Sequence, residues 1–222
     1  MTINALPPAF VLIIGGLLVP LFSGRARQVW LLALPVLSFI NLLQIPLGSH
    51  WVWPFLSDQI VLGRVDKLSL IFGYIFHLVA FLSALYAWHV DDKVQNIAGT
   101  VYAGAAVGAV FSGDMFTLFV FWELLTISAT FLILARRTER ALGSGFRYFM
   151  VHVAGGLCLL AGIIMHVAQT GSAAFDLVGL NGTASWLLFL GIGVNCAWPL
   201  LHPWLTDAYP EATITGTIFL SA

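Results

Sequence analysis

Few residues of this chain can do chemistry, and several of those lie inside long apolar runs. Glu123, in "FWELLTIS" (121–128), sits in a stretch from Met115 to Leu134 that is otherwise apolar or hydroxylated. An unpaired carboxylate in hydrocarbon costs about 2.5 kcal/mol or more, so its presence needs a reason. One reason is packing: a protonated carboxyl group hydrogen-bonded to a neighbouring helix. The other is proton handling. A carboxyl that exchanges between an apolar pocket and a nearby cation loads and releases a proton, because the first setting favours its neutral form and the second its charged form.

Two basic groups fall in the next apolar run. A helix entered near Leu142 carries His152 to about 15 Å, close to the level expected of Glu123, which lies about 13 Å past Asp114. Histidine titrates near neutral pH and passes protons through either ring nitrogen. Arg147, at about 8 Å on the same helix, either snorkels to the interface or faces inward and sets the field around Glu123. Each of these residues also has a packing interpretation, and only their shared depth favours transport.

The third feature is "GVNCAWPLLHPWLTDAYPEA". Pro199 offers no N–H to the carbonyl of Asn195, and Pro203 repeats the break one turn later. An interrupted helix at membrane depth is tolerated inside protein or along a watery cavity, and it is a recurrent device of transporters. His202, Asp207 and Glu211 then line the exit from that break.

The elements that must position these groups follow from composition. Sixty per cent of residues are hydrophobic and 9% charged, where soluble domains carry about 25% charged residues. The chain therefore belongs in a bilayer. Apolar spans predict helices at about 5–22, 28–47, 66–88, 95–112, 114–135, from after "ARRTERALGSG" to about 169, and from about 184. An eighth run follows "YPEAT" and reaches residue 222 before it is long enough to span, so a continuing membrane segment is expected. The expected fold is an all-α polytopic membrane protein of about seven full helices plus the start of an eighth. The N-terminus lacks a basic region before its apolar stretch and is expected to be a retained helix, not a cleaved signal.

Lys and Arg in the short loops orient the chain. Arg25, Arg27, Lys93, Arg136, Arg137 and Arg140 share one side, with Arg147 just inside, against Arg64 and Lys67 on the other. The first side is expected to be cytoplasmic and the N-terminus outside, in the inner (plasma) membrane. Gly104 and Gly108, and Gly155, Gly156 and Gly162, mark helices that pack closely. Cys158 and Cys196 give neither a disulfide framework nor a metal spacing. No basic patch suggests nucleic acid, and no flavin, quinone or iron–sulfur motif is readable, so no cofactor is expected. A hydrolase built on His202, Asp207 and Glu211 would lack both the H-E-x-x-H spacing and a G-x-S-x-G elbow.

Three segments in order, "FSGDMFTLFVFWELLTISATFLI", "GSGFRYFMVHVAGGLCLLAGI" and "LLHPWLTDAYPEAT", resemble the proton-conducting antiporter family. This family comprises the large membrane subunits of respiratory complex I and of Mrp-type Na+/H+ antiporters, with relatives in membrane-bound hydrogenases. Within it the nearest likeness is to the D-type Mrp subunit. The resemblance implies a fourteen-helix fold of two inverted five-helix repeats, each with a broken helix. This chain resembles the first half: residues 1–94 as three preceding helices and 95–222 as the first repeat, its last helix incomplete.

The resemblance maps the family's helix-5 glutamate onto Glu123 and its helix-6 basic residue onto Arg147 in "FRYF". Asn195 stands where the family usually has the lysine that partners the glutamate. The proton path so implied comprises Glu123, His152, Arg147, Asn195, His202 and Asp207. Because Asn195 cannot titrate, Arg147, His152 or a lysine further along the eighth helix takes the lysine's place, or the subunit does not pump.

The function implied is a membrane subunit of a multisubunit monovalent cation (Na+)/H+ antiporter. The alternative is a proton-translocating or scaffold subunit of a complex I-like NADH:quinone oxidoreductase or membrane-bound hydrogenase. The expected partners are the bilayer, other membrane subunits, H+ and Na+. A non-conducting subunit whose polar residues only pack helices is the competing class.

Overall fold

The computed structural model describes residues 5–55 and 58–221. The chain is mostly helical: α1 (Phe10–Leu17, extended by a 3-10 turn Val19–Leu21), α2 (Gly24–Leu43), α3 (Lys67–Tyr86), α4 (Lys93–Phe111), α5 (Met115–Leu134), α6 (Glu139–Thr170), α7 (Thr183–Asn195), α8 (Pro203–Ala208) and α9 (Ile214–Ser221). Among the described residues, five helices are long and apolar enough to cross a membrane: α2, α3 with the turn that follows it, α4, α5 and α6. Phe10–Leu21 and Thr183–Asn195 are shorter apolar helices. The outer surfaces of α2 and α3 expose Val29, Ile40, Ile71, Ile75 and Leu78. Such surfaces suit lipid as the surrounding solvent.

The all-α expectation needs one correction. Residues 48–65 form an antiparallel pair, β1 (Gly48–Phe55) and β2 (Asp58–Val65), in a register from Gly48↔Val65 to Phe55↔Asp58. "WVW" and "IVL" are aromatic and β-branched residues suited to a pleated surface. Strand β2 also ties down one end of the bundle. The Val61 N–H donates to Asp114 Oδ2 at 2.7 Å and the Gly113 N–H to the Val61 carbonyl at 3.0 Å. The Ala173 N–H donates to Asp58 Oδ2 at 2.6 Å.

The opposite end of α4 gathers the basic residues. Arg27 pairs with Asp91, and Arg137 with Asp92, each at 2.5 Å, while Arg136 reaches Glu211 at 3.8 Å and the Pro210 carbonyl. The two ends of the bundle thus differ in charge as the loop sequences predict.

Helix α6 starts earlier than the sequence suggests. Thr138 caps it by accepting from the Ala141 N–H at 3.1 Å, and Glu139 occupies the first turn, where the helix dipole favours an anion. Four charged residues within "ARRTER" mask a helix start as a loop. His152 is therefore about 20 Å and Arg147 about 12 Å from the helix start.

Small residues set the helix spacing. A Cβ on Gly155 would meet Val194 at 2.9 Å, and one on Gly162 would meet the Leu188 amide nitrogen at 2.7 Å, so α6 and α7 approach closely where only hydrogen fits. Gly104 and Gly108 serve different neighbours: α1 through Leu12 and Ile13, and α5 through Phe121.

Candidate functional site

Asp114 opens α5 by accepting from the Thr117 N–H at 2.9 Å and from the Thr117 hydroxyl at 2.6 Å. From that fixed start α5 delivers Glu123 to the face of α6. Glu123 is half-buried, and its Oε1 is buried with no hydrogen-bond partner among the described residues. The carboxyl group lies against Gly156. A methyl group at that position would overlap Oε1 and stand 2.9 Å from Cδ and 3.4 Å from Oε2.

One turn earlier on α6 is His152, fully buried. Its Nδ1 is 2.9 Å from the Tyr148 carbonyl. A carbonyl only accepts, so Nδ1 carries a hydrogen and Nε2 is the acceptor of the neutral ring. That Nε2 is buried and has no partner among the described residues. The imidazole stacks on Tyr148 (centroids 3.9 Å apart, planes at 25°) and meets the edge of Trp204 (4.4 Å, 80°). His152 and Gly156 share a helix face at i, i+4, about 6 Å apart along the axis. The equal depth expected from sequence becomes an offset of about one turn, since the Glu123 carboxyl meets α6 at Gly156 and not at His152.

Helix α7 ends at Asn195, one turn before Pro199. The Ala197 N–H returns to the Val194 carbonyl at 3.2 Å and the Trp198 N–H to Gly193 at 3.1 Å, with Ala197 in the left-handed region at φ 50°. This is the paired hydrogen bonding of a Schellman stop. Among the described residues no donor reaches the Asn195 carbonyl. The chain resumes as α8 at Pro203, and the Trp204 indole N–H donates to the Val194 carbonyl at 2.8 Å.

Arg147 faces elsewhere. Its Nε and Nη2 donate to the two carboxylate oxygens of Asp207, each at 2.8 Å, and the Ser144 hydroxyl donates to the Asp207 carbonyl at 2.8 Å. His202 is exposed at the start of α8, and Asn195 is half-buried at the last position of α7. Of the six residues expected along a path, Glu123 and His152 belong to groups one turn apart along α6. Asn195 follows Val194 at the rim of that cluster, Arg147 and Asp207 form their own pair, and His202 stands apart.

Sequence reasoning took Gly156 for a helix-packing glycine and missed Tyr148 and Trp204. The spacing Tyr148–His152–Gly156, one residue per turn on one face of α6, was the available signal. It also missed a second buried polar pair in the preceding helices, His77 Nε2 with the Ser38 hydroxyl at 2.8 Å.

The family model described as "NADH:quinone oxidoreductase/Mrp antiporter, TM" matches residues 112–222, half of the chain. Hydrogenase-4 component B of Escherichia coli K12 is 25% identical over 191 residues, spanning 80% of this chain and 28% of that protein. NADH-quinone oxidoreductase subunit M of the same organism is 28% identical over 178 residues, spanning 71% of this chain and 35% of that protein. The chain therefore matches about a third of the length of these relatives. Among solved structures, the Mrp complex from Dietzia sp. superposes with a TM-score of 0.78 at 21% identity, over 96% of this chain and 26% of that one, which shows the fold. Carrying the family's transmembrane region over half its length, this chain belongs to the NADH:quinone oxidoreductase/Mrp antiporter family.

Proposed function

We propose that the chain is a proton-conducting membrane subunit of a multisubunit cation/H+ antiporter, with Glu123 as the proton-loading group. The observation that carries this reading is that Glu123 Oε1 and His152 Nε2, two of the three buried side-chain atoms without a partner among the described residues (the third is Trp122 Nε1), belong to groups one turn apart along α6. Buried polar atoms are hydrogen-bonded in the great majority of cases, and ionisable groups at membrane depth mark ion paths. With Asn195 in the family's lysine position and Arg147 held by Asp207, His152 takes the part of the titratable partner. Glu123 passes its proton across the Gly156 turn to His152, and the interrupted segment between Asn195 and Pro203 opens the way onward past Asp207.

In this reading α7 and α8 are one broken membrane element, α1 with its turn is the first element, and α9 begins the eighth. Residues 95–222 form the first antiporter-like repeat. The basic end of the bundle faces the cytoplasm, and the N-terminus and hairpin face outward. The relatives named as hydrogenase and NADH-quinone oxidoreductase components support a second reading, in which the same path serves a redox-driven complex.

Glu123→Gln tests the core of the proposal, because it keeps shape and hydrogen bonding and removes the proton site. Dissipation of a pH gradient in inverted vesicles should collapse while assembly stays near normal. Full activity in this variant would make Glu123 a packing residue.

A further inference from the structure

We infer that Gly156 is the positioning residue that seats the Glu123 carboxyl group, an inference that rests on the proton-conducting role proposed for Glu123. Helix α6 carries Gly155, Gly156 and Gly162 within two turns, all buried. Helix packing accounts for two of them. A Cβ on Gly155 would meet Val194, and one on Gly162 would meet Leu188 and the Ala184 carbonyl, all on α7. Gly156 does not fit that pattern. The three nearest atoms to a Cβ placed there are Oε1, Cδ and Oε2 of Glu123.

The missing side chain is thus replaced by a carboxyl group from the neighbouring helix. Ordinary carbon contacts settle at about 3.5–4.0 Å. A methyl at 156, overlapping Oε1 and 2.9 Å from Cδ, forces Glu123 to retract. Glycine at 156 leaves that volume to the carboxyl group.

Gly156→Ala, Glu123→Asp and the double variant, each in the assembled complex, test this. Aspartate withdraws the carboxyl by one methylene and vacates the volume the methyl needs. Two readouts are taken: gradient dissipation in inverted vesicles, followed with acridine orange, and the apparent Tm of the solubilised complex. Gly156→Ala alone should lower both, with the rate falling up to about a hundredfold, as misplacement of a reacting group by roughly 1 Å can do. The double variant should return both readouts to the values of Glu123→Asp alone. Gly155→Ala is the control: it lowers Tm through Val194, and Glu123→Asp does not relieve it.

Wild-type rate and Tm in Gly156→Ala, or effects in the double variant that simply add, would overturn the seat. If Gly156→Ala fails to assemble, recovery of assembly in the double variant supports the seat and continued failure overturns it. Full transport in Glu123→Gln with the Tm coupling intact would support the seat while removing the proton role from Glu123.

Discussion

The Trp204 indole N–H is bonded to the Val194 carbonyl at 2.8 Å, so the helix that follows the interruption hangs from the last turn before it. The same indole meets His152 edge-on at 4.4 Å. One side chain therefore joins α6, α7 and α8 at the point where the backbone leaves its helix.

Trp204→Phe keeps an aromatic edge near His152 and removes the N–H donor. The Val194 carbonyl retains its bond from the Ala197 amide, so the loss should be close to one ordinary hydrogen bond, about 1 kcal/mol. Thermal unfolding of the solubilised complex measures it. Stability equal to wild type would show that the indole bond contributes nothing to holding the break.

His152 can be tested by a swap. His152→Gln keeps polar contacts and removes the titratable ring, so proton flux in vesicles should fall by about a hundredfold, the upper end for loss of one proton-transfer group being higher still. Adding Asn195→Lys places a cation at the position where the family resemblance expects one, and it should recover part of the flux. Unchanged flux in His152→Gln would leave the imidazole as a packing group between Tyr148 and Trp204.

The Arg147–Asp207 pair carries its own prediction. Two guanidinium nitrogens meet the two carboxylate oxygens, each at 2.8 Å, but the pair is largely open to its surroundings. Arg147→Gln should lower the Tm of the solubilised complex only slightly, and the difference should shrink as salt is raised, because exposed charges are screened. A large loss insensitive to salt would place the pair in a buried setting.

Topology is open to direct labelling. In a background with Cys158 and Cys196 replaced, a cysteine at Gln59, exposed in the hairpin, should react with an impermeant maleimide in intact cells. One at Arg140, exposed at the start of α6, should react only after the membrane is opened. The reverse pattern would invert the proposed orientation.

The sequence by itself determined where the long apolar spans lie. Hydropathy over about 20 residues reports burial in lipid whatever the neighbours do. Caps such as Asp66 and Asp114 act within three residues of themselves. Glu123 and the end of α7 before Pro199 stood out for the same reason: a carboxylate or a proline in an apolar run contradicts its immediate surroundings.

The failures were non-local. Strand β2 becomes visible as a strand only once it is paired with β1 and bound to Asp114. Arg147 was equally able to face Glu123 or the interface, and Asp207, 60 residues away, decided it. Gly156 looked like one more small residue for helix packing until the rotation of α5 put the Glu123 carboxyl against it. Rotation about a helix axis moves no hydropathy average. It is set by which side chains of two helices fit one another, and in α6 by the close approach that Gly155 and Gly162 permit with α7, and that information is absent from either strand of sequence read alone.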